Sequence, residues 1–141
     1  MSREAIHAAL FAKLAAIPGL KLSSRRLRHF TDVAAVQQPA LFLEQRGEAT
    51  AQPGLGLPGK RTLRFYVWLY VRVDDHAAVP ATTLNAWLDA VDTALAPDLA
   101  TGKQTLGGLV SHCWVNGTTE TDDGSLDSQA IARIPVEALV P

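Results

Sequence analysis

The chain has 141 residues, a formal net charge of −1, one cysteine and four histidines. That length supports one domain, residues 1–141, with a core that needs neither disulfide nor metal. A lone cysteine excludes an internal disulfide and points to a reducing compartment. The near-neutral balance excludes bulk affinity for nucleic acid or membrane, leaving only a local patch for either.

Glu4, His7 and Lys13 interrupt any apolar run at the start of the chain, which therefore does not read as a signal peptide. No apolar run approaches the ~20 residues of a membrane span, so the expectation is cytoplasmic synthesis. Ser2 is a candidate N-cap for a first helix with Ile6, Leu10, Leu14 and Ile17 on one stripe. Pro18-Gly19 stops it. Leu20 and Leu22 can begin a short strand, and the next strand is expected over residues 40–46. Residues 47–61 carry four glycines and two prolines at 47–59 and read as a long irregular connection.

Residues 62–73 carry the strongest pattern in the chain. Leu63, Phe65, Val67, Leu69, Val71 and Val73 alternate with Thr62, Arg64, Tyr66, Trp68, Tyr70 and Arg72. This predicts a central strand with one buried and one amphipathic face. Tyr, Trp and Arg are enriched at interfaces, so Arg64, Tyr66, Trp68, Tyr70 and Arg72 are candidate subunit contacts, unless a loop of the same chain covers them. A second helix is expected within residues 80–95, with Leu84, Trp87, Leu88, Val91 and Leu95 on its apolar face.

A strand over residues 109–116 follows, then two turn signals, Asn116-Gly117 and Asp123-Gly124, which predict a hairpin with a long acidic tip. The last strand is expected over residues 128–136, where Pro135 argues for an edge or an end. The order is α-β-β-α-β-β: an α+β domain with a roughly four-stranded, mainly antiparallel sheet and two helices on one face. The core is expected from Ile6, Leu10, Leu14, Leu63, Phe65, Val67, Leu69, Leu84, Leu88 and Val91.

Motifs that would carry chemistry fail on context. Gly54 to Lys60 has the spacing of a phosphate-binding loop, but Arg61 stands where Ser or Thr would hold magnesium, and a strand follows instead of a helix. Cys113 and His112 are neighbours in a strand and point to opposite faces. The histidines show no metal-ligand spacing. The expectation is a protein with no catalytic residue, cofactor or metal. Two charged clusters remain: Arg25, Arg26, Arg28 and His29, and the acidic Glu120, Asp122, Asp123 and Asp127. They are solvated surface, or they meet across a subunit boundary, or the basic group faces an acidic partner. Leu55, Leu57, Lys60 and Arg61 give the long connection contact groups of its own.

Arg25, Arg26, Arg28, His29 and Phe30, followed by Gln38, Pro39 and Leu43, resemble the first half of the tail terminator (tail completion, minor tail protein U-like) proteins of long-tailed bacteriophages. The second half is similar in the same order, through Leu84-Asn85, Leu88 to Ala90, Gln104 to Val110 and Ile134 to Pro141. The resemblance implies a structural virion protein at the tail–neck junction, assembled in the host bacterial cytoplasm. Its partners would be copies of itself in a ring, typically of six, the tail tube protein and the head connector, with DNA only passing through the lumen. The alternatives are another neck or head–tail joining protein of similar fold, and a single-stranded nucleic-acid binder using the Arg64, Tyr66, Trp68, Tyr70 and Arg72 face as a stacking platform.

Overall fold

The structure, a computed structural model, describes residues 1–126 and 128–141, and only the backbone at 124–126. In chain order the elements are α1 (Arg3–Ala15), β1 (Leu22–Ser24), β2 (Ala40–Ala51), β3 (Lys60–Arg72), α2 (Pro80–Ala94), β4 (His112–Val115), β5 (Glu120–Leu126) and β6 (Gln129–Val140). Two short 3-10 turns, Phe30–Asp32 and Ala35–Gln37, lie between β1 and β2.

Among the described residues the strands form one six-stranded sheet in the order β1-β2-β3-β6-β4, with β5 also on β6. The β1–β2 pair is parallel and the others are antiparallel. The α+β class is as expected, with six strands in place of four. The two extra ones are short or broken: β1 has three residues, and β4 and β5 share one edge of β6 in succession. β3 is central, as its alternation requires.

Both helices cover one face. Ser2 Oγ accepts a 3.1 Å hydrogen bond from Ala5 N–H and caps α1, while Pro80 occupies the first turn of α2. Ile6, Leu10, Leu14, Leu84 and Val91 pack on Leu43, Leu63, Phe65, Val67, Leu69 and the even-numbered positions of β6 from Ala130 to Val140. Leu88 is only partly buried at the margin of this core. Leu43, Val67 and Ile134 are cross-strand partners in one register row, all buried. A one-residue slip would turn that row to solvent, so the helices lock the register.

Three segments differ from the sequence expectation. Residues 47–51 and 60–61 are paired strand, not loop, so β2 and β3 form a long hairpin with residues 52–59 at its tip. The breakers cluster at 53–59, and Gly47 is absorbed as a β-bulge. The register shifts between Gln45 and Gly47, whose φ of +130° suits glycine. The acidic stretch is strand β5, not a hairpin tip: the chain passes Asn116-Gly117 without reversing, continues along the same edge of β6, and reverses only after β5, where Leu126 pairs with Gln129. β6 runs past Pro135 to Val140 and lies inside the sheet. Pro135 is tolerated there because its carbonyl, accepting from Asn116 N–H at 3.1 Å, faces the gap between β4 and β5. The proline nitrogen points to that same side, so its missing N–H breaks no bond to β3.

Candidate functional site

The second face of the sheet is built in rows by the register. From one end they read Gly47–Arg64–Glu137, then Glu44–Tyr66–Pro135, Phe42–Trp68–Arg133 and Ala40–Tyr70–Ile131. β5 extends the last two rows, placing Glu120 beside Arg133 and Asp122 beside Ile131.

This face is divided. At the Tyr70 end the chain covers itself: Val33, Ala40, Phe42, Tyr70 and Ile131 form a second apolar cluster, with Leu22, Leu27, Phe30 and Trp68 against it. Tyr70 is 3% exposed, and its hydroxyl donates to the Arg28 carbonyl at 2.6 Å. Burial pushes its phenol up to about 12, with the Glu44 carboxylate adding to the effect. Gln38 Nε2 donates to Val33 O at 3.2 Å and to Gln129 Oε1 at 2.9 Å, tying the covering segment to β6. Tyr70 is therefore held by its own chain and is not part of a freely exposed aromatic face. A same-chain loop covers that end.

The Arg64 end is open and self-neutralising. Arg133 pairs with Glu120 at 2.8 Å, Arg46 with Glu44 at 3.4 Å and Arg64 with Glu137 at 3.5 Å. The Arg133 guanidinium also lies 4.5 Å from the Tyr66 ring centroid and 5.8 Å from that of Trp68, and Arg46 is 5.3 Å from Tyr66. These cations occupy the ring faces that a stacked base would need. Arg72 turns away to Asp74 at 2.8 Å.

The basic cluster is dispersed. Arg25 pairs with Glu4 and also donates to His7 Nδ1 at 2.9 Å. Arginine is only a donor, so Nδ1 accepts and His7 is neutral with its proton on Nε2. Burial, then the Arg25 charge, holds His7 below its ordinary value, against the opposing pull of Glu4 and of the nearby Leu43 backbone. Arg26 is exposed, His29 caps the first 3-10 turn through Thr31, and Arg28 lies 5.9 Å from the Phe42 ring. Of the acidic cluster, Asp123 is exposed and Asp127 lies outside the described residues.

Between these clusters the structure opens a groove of about 560 Å³. Trp68, Tyr70 and Ile131 line it, with Arg28, His29 and Phe30 on one lip and Glu120, Thr121 and Asp122 on the other. Arg28 and His29 thus face Glu120 and Asp122 across one groove of one subunit. Arg133 and Ile131 were visible in the sequence only as the odd positions of the last strand. Their place beside Trp68 and Tyr70 is a consequence of register.

At the opposite end of the sheet, Leu55 is fully exposed and Leu57 is 52% exposed. Gln52 Nε2 donates to Leu57 O at 2.9 Å and Leu57 N–H to Gly54 O at 3.2 Å, so the tip forms a turn of defined shape. Lys60 is exposed at its base. Arg61 pairs with Glu48 at 3.0 Å, and Glu48 also takes a bidentate bond from Arg3 at 2.6 and 3.1 Å. The hydrogen bond from Arg3 holds the Glu48 carboxyl below its usual range. Arg61 is thereby spent within the chain.

Cys113 is buried, and burial pushes its thiol up to about 12. His112 Nδ1 accepts from Gln104 N–H at 3.1 Å instead. Among the described residues no group of three or more His, Cys, Asp or Glu is placed to hold a metal ion, and no helix is long and apolar enough to cross a membrane.

Against known proteins, the decisive likeness is one of structure. The fold is shared with a virion chain. A chain from the virion of a native gene transfer agent particle superposes with a TM-score of 0.57 at 15% identity, covering 97% of this chain and 95% of that one. A second solved structure matches at 0.54 and 19% identity, over 99% of this chain and 96% of its own. No protein-family model and no curated protein sequence matches.

Proposed function

We propose that this chain is a structural subunit of a phage-like virion and, within it, the tail terminator. In this role copies of the chain form a ring, typically of six, that caps the tail tube, ends its polymerisation and docks to the head connector. The observation that carries the virion role is the end-to-end structural overlap with a chain of the gene transfer agent particle, with almost nothing left over in either chain. The terminator assignment rests further on the sequence resemblance, which runs through both halves in the same order.

The physics of the role is simple. Tube subunits add head to tail, an open-ended process unless something occupies the growing end. A cap needs binding surfaces and a rigid frame, not a catalytic group. The sheet supplies the frame, and the projecting hairpin and the half-open face supply surfaces. The chain would reside at the tail–neck junction after assembly in the host bacterium, with tube and connector proteins as partners and DNA only in transit.

Deleting the gene from the particle that encodes it and imaging the lysate tests this. Tubes of uncontrolled length that remain separate from heads are expected. Tails of normal length that fail to join heads would move the assignment to a neck-joining protein. Joined particles of normal length would remove it. Salt-resistant retention of the isolated chain on single-stranded DNA would instead favour the nucleic-acid reading, which the arginines over Tyr66 and Trp68 disfavour.

A further inference from the structure

The chain carries two apolar features that it cannot satisfy by itself. One is the tip at 52–59, a turn held by two hydrogen bonds that presents Leu55 fully and Leu57 half to solvent. The other is the groove over Trp68, Tyr70 and Ile131. Along β3, Lys60 at the base of the tip is eight residues from Trp68 and ten from Tyr70. At about 3.3 Å per residue that is roughly 26–33 Å, so the tip cannot reach its own groove. A second copy can.

We propose that the hairpin tip of one subunit seats in the groove of the next, as the contact that propagates the ring; the proposal rests on the ring assignment above. Three observations converge on a second copy as occupant. The first is apolar complementarity, with leucines on the tip and an apolar groove floor. The second is charge: exposed Lys60 at the base of the tip is suited to the acidic lip of Glu120, which also holds Arg133 at 2.8 Å, and Asp122, and not to the basic lip of Arg28 and His29. The third is shape. The tip is already folded as a turn, so seating it costs less conformational entropy than ordering a free loop. Because tip and groove are different patches on one chain, the contact is heterologous. It repeats head to tail and closes when the rotation per subunit closes.

The test uses the full chain with Leu55→Cys and His29→Cys combined, since His29 is an exposed lip residue and the native Cys113 is buried. Under mild oxidation at concentrations where native mass spectrometry finds multimers, the double variant is expected to give a reducible ladder ending at the ring number. Each single variant should stop at dimer or below. Leu55→Asp should raise the concentration for half-assembly at least tenfold while leaving the melting temperature of the subunit unchanged.

Multimers without a ladder, or Leu55→Asp assembling like the parent, overturn this contact and leave the ring standing. If the thiol introduced by Leu55→Cys cross-links to tube protein rather than to another copy, the contact is also overturned. A chain that is monomeric at every concentration, with and without tube subunits, overturns the contact and the ring together.

Discussion

The hydroxyl of Tyr70 donates a 2.6 Å hydrogen bond to the carbonyl of Arg28, joining the central strand to a segment 42 residues earlier. This bond sets which half of the second sheet face is core and which is surface. Tyr70→Phe keeps the ring in the apolar cluster and leaves the Arg28 carbonyl without its partner. A loss of about 1 kcal/mol is expected in urea denaturation, with faster hydrogen exchange confined to residues 27–33. In the parent chain a phenolate absorbance titration should show one tyrosine, Tyr70, resisting ionisation until about pH 12, because burial penalises the charged form.

Val67 is wholly buried between Leu43 and Ile134 under both helices. Val67→Asp places an unpaired carboxylate there and should abolish folding. A soluble variant that melts cooperatively would mean the strand presents its other face to the helices.

His7 couples stability to pH. Its folded-state pKa lies below the ordinary 6.5, chiefly through burial and then through the Arg25 charge. The unfolded chain therefore binds the proton first. The stability from neutral His7 is complete above about pH 6.5 and is lost as pH falls from there through the lower folded value. Arg25, Glu4 and the Phe65 ring, at 5.2 Å, are its neighbours. His7→Leu should flatten the melting temperature between neutral pH and pH 5. An unchanged slope would assign the dependence elsewhere.

The Cys113 thiol, buried and pushed up to about 12, should be inert in the folded chain. Reaction with a disulfide reagent at pH 8 is expected to track global unfolding and to accelerate sharply in denaturant. Rapid labelling of native protein would show that β4 opens on its own.

Replacing residues 52–59 with a short Gly-Ser linker should leave melting nearly unchanged, since the tip contributes nothing to the core, while weakening assembly or tube capping. Hydrogen exchange compared between free subunit and assembled particle checks this directly. Equal exchange at the tip in both states would make it a passive connection.

The sequence by itself determined the elements that bury apolar faces. Helices α1 and α2 and strand β3 are written as unbroken 3.6- and 2-residue periods, because each must present one continuous stripe to a single core. The core residues expected from those stripes lie where the pattern put them, with only Leu88 partly exposed at the margin. The same local signals could not say what happens on the far side of the sheet. Thr62, Arg64, Tyr66, Trp68, Tyr70 and Arg72 look equivalent in the sequence, yet Tyr70 is core, Trp68 is groove floor and Arg64 is open surface. That sorting depends on where a segment some forty residues away folds back, and on a register that sets Arg133 beside Trp68 and Ile131 beside Tyr70. The long hairpin was hidden for a related reason. Residues 47–51 have little β-propensity of their own, and only the tertiary structure made them strand, by pairing each with a partner on β3 and letting a bulge at Arg46 absorb Gly47. Periodicity records what one segment buries; pairing and cover are properties of two segments at once, and no single stretch of sequence contains them.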